Sequence, residues 1–165
     1  VPPGPVVAAR QDRGASVKPR RVLAIASGGG HYVQLLRLRP AWEGQAISYA
    51  SVDPSTAVDV AGSPFYAIPD VSRADWWRIP VAALGIAGVL LRVRPQVIIT
   101  TGALPGLIAC ALGRLIGART LWVDSIANSE VLSESGRHAR RICHQVITQW
   151  PHLAEADVAH WGSVL

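Results

Sequence analysis

The chain has 165 residues, 50% of them apolar, which is room for one domain with a substantial core and excludes global disorder. Its net charge is +5. Residues 1–21 hold five cations against Asp12, while residues 22–165 hold eleven arginines against ten acids, so the folded part is nearly neutral and a nucleic-acid binder is not expected.

Two cysteines, Cys110 and Cys143, cannot build a disulfide framework and point to a reducing compartment. The longest clean apolar run, residues 79–91, falls short of the ~20 residues a spanning helix needs. No secretory signal is expected at the start of the chain. Residues 1–19 are rich in Pro and Gly without periodicity and read as a flexible leader. Its cations suit a solvated tail, or an anionic membrane surface. Residues 20–165 read as a single folded unit.

From there the pattern turns regular. Residues 22–26 form an apolar strand that runs into Ser27, Gly28, Gly29 and Gly30, and a helix follows over 31–38. Strands are expected at 46–52 and 65–68. A helix is expected over 80–94, stopped by Pro95. The β-branched stretch 97–101 reads as a buried parallel strand. A helix over 106–116, a strand at 121–123, a helix over 134–143 and a last strand at 146–148 complete the series. Alternation at this spacing implies an α/β, Rossmann-like parallel sheet with helices on both faces. Ligands of such sheets bind beyond the carboxyl ends of the strands. That selects residues 27–31, the segment after Ile68, residues 100–106 and residues 124–129.

Each selected loop carries candidate residues. The glycines at 28, 29 and 30 let a ligand approach the backbone at a helix start, where N–H groups lack partners. They match neither the G-x-G-x-x-G fingerprint nor the P-loop, so NAD and Walker-type nucleotides are disfavoured. A tight turn with no ligand explains them as well. His31 follows, placed for general-base work at the crevice; a loop-bracing histidine fits the position equally. Thr100, Thr101 and Gly102 close the buried strand, where the hydroxyls could hold phosphate or sugar, or merely serve the turn. Asp124 could bind hydroxyls or cap; Ser125 reads as a cap. No histidine has metal-ligand spacing with Cys or acids, so no metal is expected. Trp76, Trp77 and Arg78 precede an apolar helix, an arrangement that fits either an interfacial membrane anchor or a core helix flanked by half-buried indoles.

The motifs resemble a known family. Ser27 to His31 with Leu35 and Leu38 resembles its S-G-G-H-x-x-x-L opening. Residues 95–102, P-Q-V-I-I-T-T-G, resemble its P-D-x-I-I-T-T-G segment. Residues 132–137, L-S-E-S-G-R, resemble its L-S-x-S-G-K/R stretch, and Gln149-Trp150-Pro151 and residues 162–165 match as well. The family is the membrane-associated, acceptor-side subunit of the two-part UDP-N-acetylglucosamine transferase of dolichol-linked oligosaccharide assembly, with its bacterial exopolysaccharide and capsule relatives. More distantly the layout is similar to the N-terminal half of the lipid II-forming transferase.

The resemblance spans roughly residues 20–165 and implies the N-terminal half of a GT-B architecture. It implies a metal-independent inverting sugar transfer from a UDP-sugar co-substrate to a lipid-linked acceptor, with no other cofactor. It also implies a separate donor-binding subunit and a peripheral position on the cytoplasmic face of the cell membrane. His31 would be the base, or an orienting group. Ser27 to Gly30, Thr100 to Gly102, Asp124 and Ser125 would hold substrate, and Trp76, Trp77 and Arg78 would touch lipid. A non-catalytic membrane scaffold is the alternative role; a soluble nucleotide-binding enzyme is a third, disfavoured by the glycine pattern. Two departures stand out: Gln96 replaces a common acidic residue, and Asp124 stands where many members carry Glu. Residues 1–20 cannot supply the N-terminal membrane helix of eukaryotic members.

Overall fold

A computed structural model describes residues 18–72 and 74–164. Most of the expected leader, Arg73 and Leu165 lie outside the described residues. Seven strands form one parallel sheet: β1 (Arg21–Ala26), β2 (Ala46–Ser51), β3 (Phe65–Ala67), β4 (Val97–Thr100), β5 (Arg119–Val123), β6 (Gln145–Thr148) and β7 (Val158–His160). Their order is β3-β2-β1-β4-β5-β6-β7, with every neighbouring pair parallel. This is the doubly wound order. The chain moves outward one way to β3, returns past β1 to β4, and moves outward the other way, so the loops after β1 and β4 part at the carboxyl edge and open a crevice.

The strand sequences follow from burial on both faces. In β1 the side chains alternate, Val22, Ala24 and Ala26 into one core and Leu23 and Ile25 into the other. Helices α2 (Ile79–Val93), α3 (Ala103–Leu115) and α4 (Glu134–Ile142) cover the Leu23 face through Ile86, Leu90, Ala109, Cys110 and Ala139. Helix α1 (Gly30–Arg37) covers the Val22 face through Tyr32 and Leu35, joined by Trp42 from a short 3-10 turn. The α/β, Rossmann-like class expected from sequence is the one observed. Cys110 and Cys143 are both buried and free.

Three details differ from the sequence expectation. Helix α3 starts at Ala103, not 106, because Pro105 sits in its first turn, where no intrahelical N–H is needed. A seventh strand, β7, follows β6 through a 3-10 turn (Pro151–Leu153) rather than an α-helix. The 79–91 apolar run belongs to a longer helical segment, Trp76–Val93, which by length and composition could cross a membrane. Here it buries Ala82, Ile86, Val89 and Leu90, the last three within the core on the Leu23 face of the sheet.

Candidate functional site

At the carboxyl edge, the loops after β1, β3, β4 and β5 and the starts of α3 and α4 enclose a crevice of about 570 Å³. Ser27, His31, Asp70, Ser72, Ala103, Leu104, Ser125, Asn128 and Ser133 to Ser135 line it. All four loops that sequence selected thus contribute, through residues 27 and 31, 70–72, 103–105, and 125, 127 and 128.

His31 is fixed by a reciprocal pair of bonds to the next loop. Its Nδ1 lies 2.9 Å from the carbonyl oxygen of Thr101, and the Thr101 hydroxyl donates to the His31 carbonyl at 2.6 Å. A carbonyl only accepts, so Nδ1 carries the proton, and the neutral ring keeps a bare Nε2. The loop geometry depends on Gly102. Its φ of 135° suits glycine, and a Cβ there would sit 2.7 Å from Cε1 of His31. Ala103 follows with φ 64°, so two consecutive left-handed residues launch α3 beside the imidazole. Backbone strain of this kind collects at functional sites.

The remaining sequence candidates divide by burial. Ser27 and Ser125 face the crevice. The Ser125 hydroxyl also accepts the Ala127 N–H, as a bracing residue does. Gly29 takes φ 63° at the start of α1, and Gly28 and Gly30 flank it; the three lie between the crevice residues Ser27 and His31 but do not line the crevice themselves. Thr100, Thr101 and Asp124 stand behind the wall rather than in it. The Thr100 hydroxyl accepts the Gly102 N–H, and the Thr101 hydroxyl is taken by His31. The Asp124 carboxylate, 2% exposed, accepts from Nε1 of Trp122 and from the N–H and hydroxyl of Ser133. Its own carbonyl accepts from Gln34 and Gln149. Their expected substrate contact gives way to a bracing role, for the physical reason that these polar atoms are already satisfied within the core.

The start of α4, which carries no candidate from the sequence, also lines the crevice through Ser133, Glu134 and Ser135. Ser133 caps that helix by accepting from the Gly136 N–H at 2.8 Å, and Asp124 holds the cap down. A Cβ on Gly136 would come within 2.6 Å of Asp124 Oδ1, which explains the Ser-x-x-Gly spacing. The available signal was topological: a helix that follows a parallel strand must start at the carboxyl edge.

Trp76, Trp77 and Arg78 form a 3-10 turn leading into α2. The Arg78 guanidinium lies over the Trp77 ring, 5.9 Å from its centroid. Trp77, Val81, Leu84 and Leu91 fall at helical spacing on one outward stripe and are 61% to 74% exposed. Trp76, Ile79, Leu104, Leu107, His138 and Ile142 frame a shallow apolar depression of about 380 Å³. Leu104 lines both it and the crevice, so the two adjoin there. Among the described residues, no three His, Cys, Asp or Glu side chains gather as a metal site.

No protein-family model and no curated protein matches the chain in sequence. Solved structures do match. MurG from Acinetobacter baumannii superimposes with a TM-score of 0.70 at 16% identity, over 86% of this chain and 45% of its own. A glycosyltransferase from Rickettsia africae gives 0.62 at 11% identity, over 88% and 43%. The UDP-GlcNAc 2-epimerase of Methanocaldococcus jannaschii gives 0.55 at 12%, over 84% and 44%. The chain has the fold of one GT-B domain of such proteins and spans under half their length.

Proposed function

We propose that this chain is the acceptor-side subunit of an inverting glycosyltransferase. With a donor-binding partner subunit it would move a sugar from a UDP-sugar to a lipid-linked saccharide at the cytoplasmic face of the membrane, in polysaccharide or oligosaccharide synthesis. The observation that carries this reading is the match of nearly the whole chain to one domain of proteins twice its length, two of them a MurG and a glycosyltransferase. One wall of a catalytic groove is present; the other belongs to the partner.

The site supports a single displacement. The acceptor hydroxyl attacks the anomeric carbon, the bond to the UDP oxygen breaks, and UDP leaves with the bonding pair. The hydroxyl proton goes to Nε2 of His31, whose other nitrogen is held protonated by the Thr101 carbonyl. The amides of Gly30 and His31 at the start of α1 would offer donors to a diphosphate, the Tyr32 amide being bonded to the Gly29 carbonyl. Ser27 and Ser125 offer hydroxyls to a sugar or phosphate. The depression beside Leu104, open to Trp76, suits the first apolar units of the acceptor's lipid, and the Trp77 to Leu91 stripe suits a bilayer surface.

The test is reconstitution. The purified chain, a donor-binding companion and their mixture are assayed with UDP-sugars and a lipid pyrophosphate acceptor. Turnover is expected in the mixture and not in either component. Robust turnover by this chain alone would overturn the two-subunit reading.

A further inference from the structure

We propose that the amino edge of the sheet, opposite the crevice, carries a binding cleft for an anionic phospholipid headgroup, formed by Arg21 and Arg94 against Leu91 and Ile116. The proposal rests on the membrane-surface part of the functional reading. The cleft has a volume of about 470 Å³ and opens where α2 ends, β1 and β4 begin, and α3 turns into β5. Leu91 belongs both to this cleft and to the exposed stripe of α2, so the two surfaces are continuous.

Charge favours an anionic occupant. Arg92, Arg94, Arg114 and Arg119 lie in or beside the segments leading from α2 and α3 into the next strands, and Arg20 and Arg21 lead into β1. Among the described residues, the only ion-paired arginine is Arg140, which meets Glu155 and Asp157. Cations at helix ends are expected from the helix dipole, and that accounts for Arg92 and Arg114. It does not account for Arg21 or Arg119, which begin strands.

Arg94 is the more telling residue. It ends α2 with φ 47°, a conformation that glycine adopts without a steric penalty, and a side chain here is an added burden to the fold. The same residue's carbonyl accepts from Nε of Arg21 at 2.8 Å, which fixes the Arg21 guanidinium at the end of α2, and both arginines line the cleft. Leu91 and Ile116, 67% and 47% exposed, add apolar surface beside the charge. Phosphate next to hydrocarbon is the chemistry of a phospholipid at a bilayer surface.

Arg94→Gly tests this cleanly, because it removes the charge while relieving the backbone and keeping the carbonyl that Arg21 uses. Co-flotation of the full chain is measured with phosphatidylcholine vesicles, with and without phosphatidylglycerol. The wild type is expected to favour the anionic vesicles. Arg94→Gly and Arg21→Gln should each lower that binding about fivefold, the two together about twenty-five-fold, with unchanged folding by circular dichroism. Wild-type binding by both variants would overturn the cleft, as would equal affinity for neutral vesicles. Competition by inorganic phosphate at vesicle-equivalent concentration would overturn it in favour of a free-anion site, and displacement by an oligonucleotide in favour of nucleic acid. If the wild type binds no vesicle at all, both the membrane reading and the cleft fall.

Discussion

The two ends of one sheet are built on opposite rules. At the carboxyl edge, polar groups are turned toward one another: His31 with Thr101, Asp124 with Trp122 and Ser133, Thr100 with Gly102. At the amino edge, the arginines are exposed, and Arg21 and Arg114 donate only to backbone carbonyls. The acids Asp53, Asp70, Asp75, Asp124, Glu130 and Glu134 all lie between a strand's end and the next helix or 3-10 turn, or at that helix's start. Arg92, Arg94, Arg114, Arg119 and Arg141 lie at or after a helix's last turn, up to the next strand's start. A near-neutral fold therefore carries a bias of charge along the strand direction, even though Glu43, Glu155 and Asp157 precede strands and Arg78 precedes α2. Its cause is topological. Every helix runs antiparallel to the strands, so residues suited to helix starts collect at one edge and residues suited to helix ends at the other. One edge is pre-organised to position a reacting group; the other presents a field.

If the carboxyl edge is the reactive one, His31 is where the difference shows most. In an assembled complex, His31→Ala should lower kcat by about 10²–10⁴, the usual contribution of a general base, with the complex still forming by gel filtration. His31→Ala at wild-type turnover would favour the scaffold role, in which the carboxyl edge only recruits the enzyme.

The left-handed residues sharpen the contrast, because substitutions there should have opposite signs. Gly102→Ala puts a Cβ against the imidazole at φ 135° and should destabilise by about 1–3 kcal/mol. Arg94→Gly removes a side chain from φ 47° and should be neutral or stabilising by up to about 1 kcal/mol, glycine's extra chain entropy offsetting part of the relief. Thermal unfolding of both variants reads the difference. Two losses of similar size would mean that the amino edge is packed as tightly as the carboxyl edge.

The elements that sequence reveals are those with a physical signature in the chain itself. Strand β1 is apolar at every position from Val22 to Ala26 and ends in glycines, so its burial and its turn are both legible. Strand β7 spans three residues with one large apolar side chain, and it forms because β6 offers an edge, which no local pattern announces. The position of the crevice follows from the strand–helix alternation. The direction of each side chain does not. Thr101 and Asp124 sit at the right loops and yet point into the core, since the groups that claim them, His31 and Ser133, are 70 and 9 residues away. The charge separation was within reach, because it needs only the element order and the positions of Arg and Asp, but a net charge summed over residues 22–165 cancels it.

His144 gives the smallest effect and the most direct reading of the field. It precedes β6 at the amino edge, and its Nδ1 accepts the Thr120 N–H at 3.2 Å, so the neutral ring is the bonded form. Desolvation lowers its pKa from the ordinary 6.5, and Arg114 and Arg119 lower it further. The unfolded chain then takes up the proton first as pH falls. Stability from this group is undiminished above about pH 6.5, declines as pH drops toward the folded pKa, and is level below it. Arg119→Gln should move the His144 midpoint upward in an NMR titration of the imidazole, while a charge change at the opposite edge, such as Asp53→Asn, should leave it in place. Equal shifts from both would mean that the two edges share one averaged potential, and the separation argued from topology would have no electrostatic consequence.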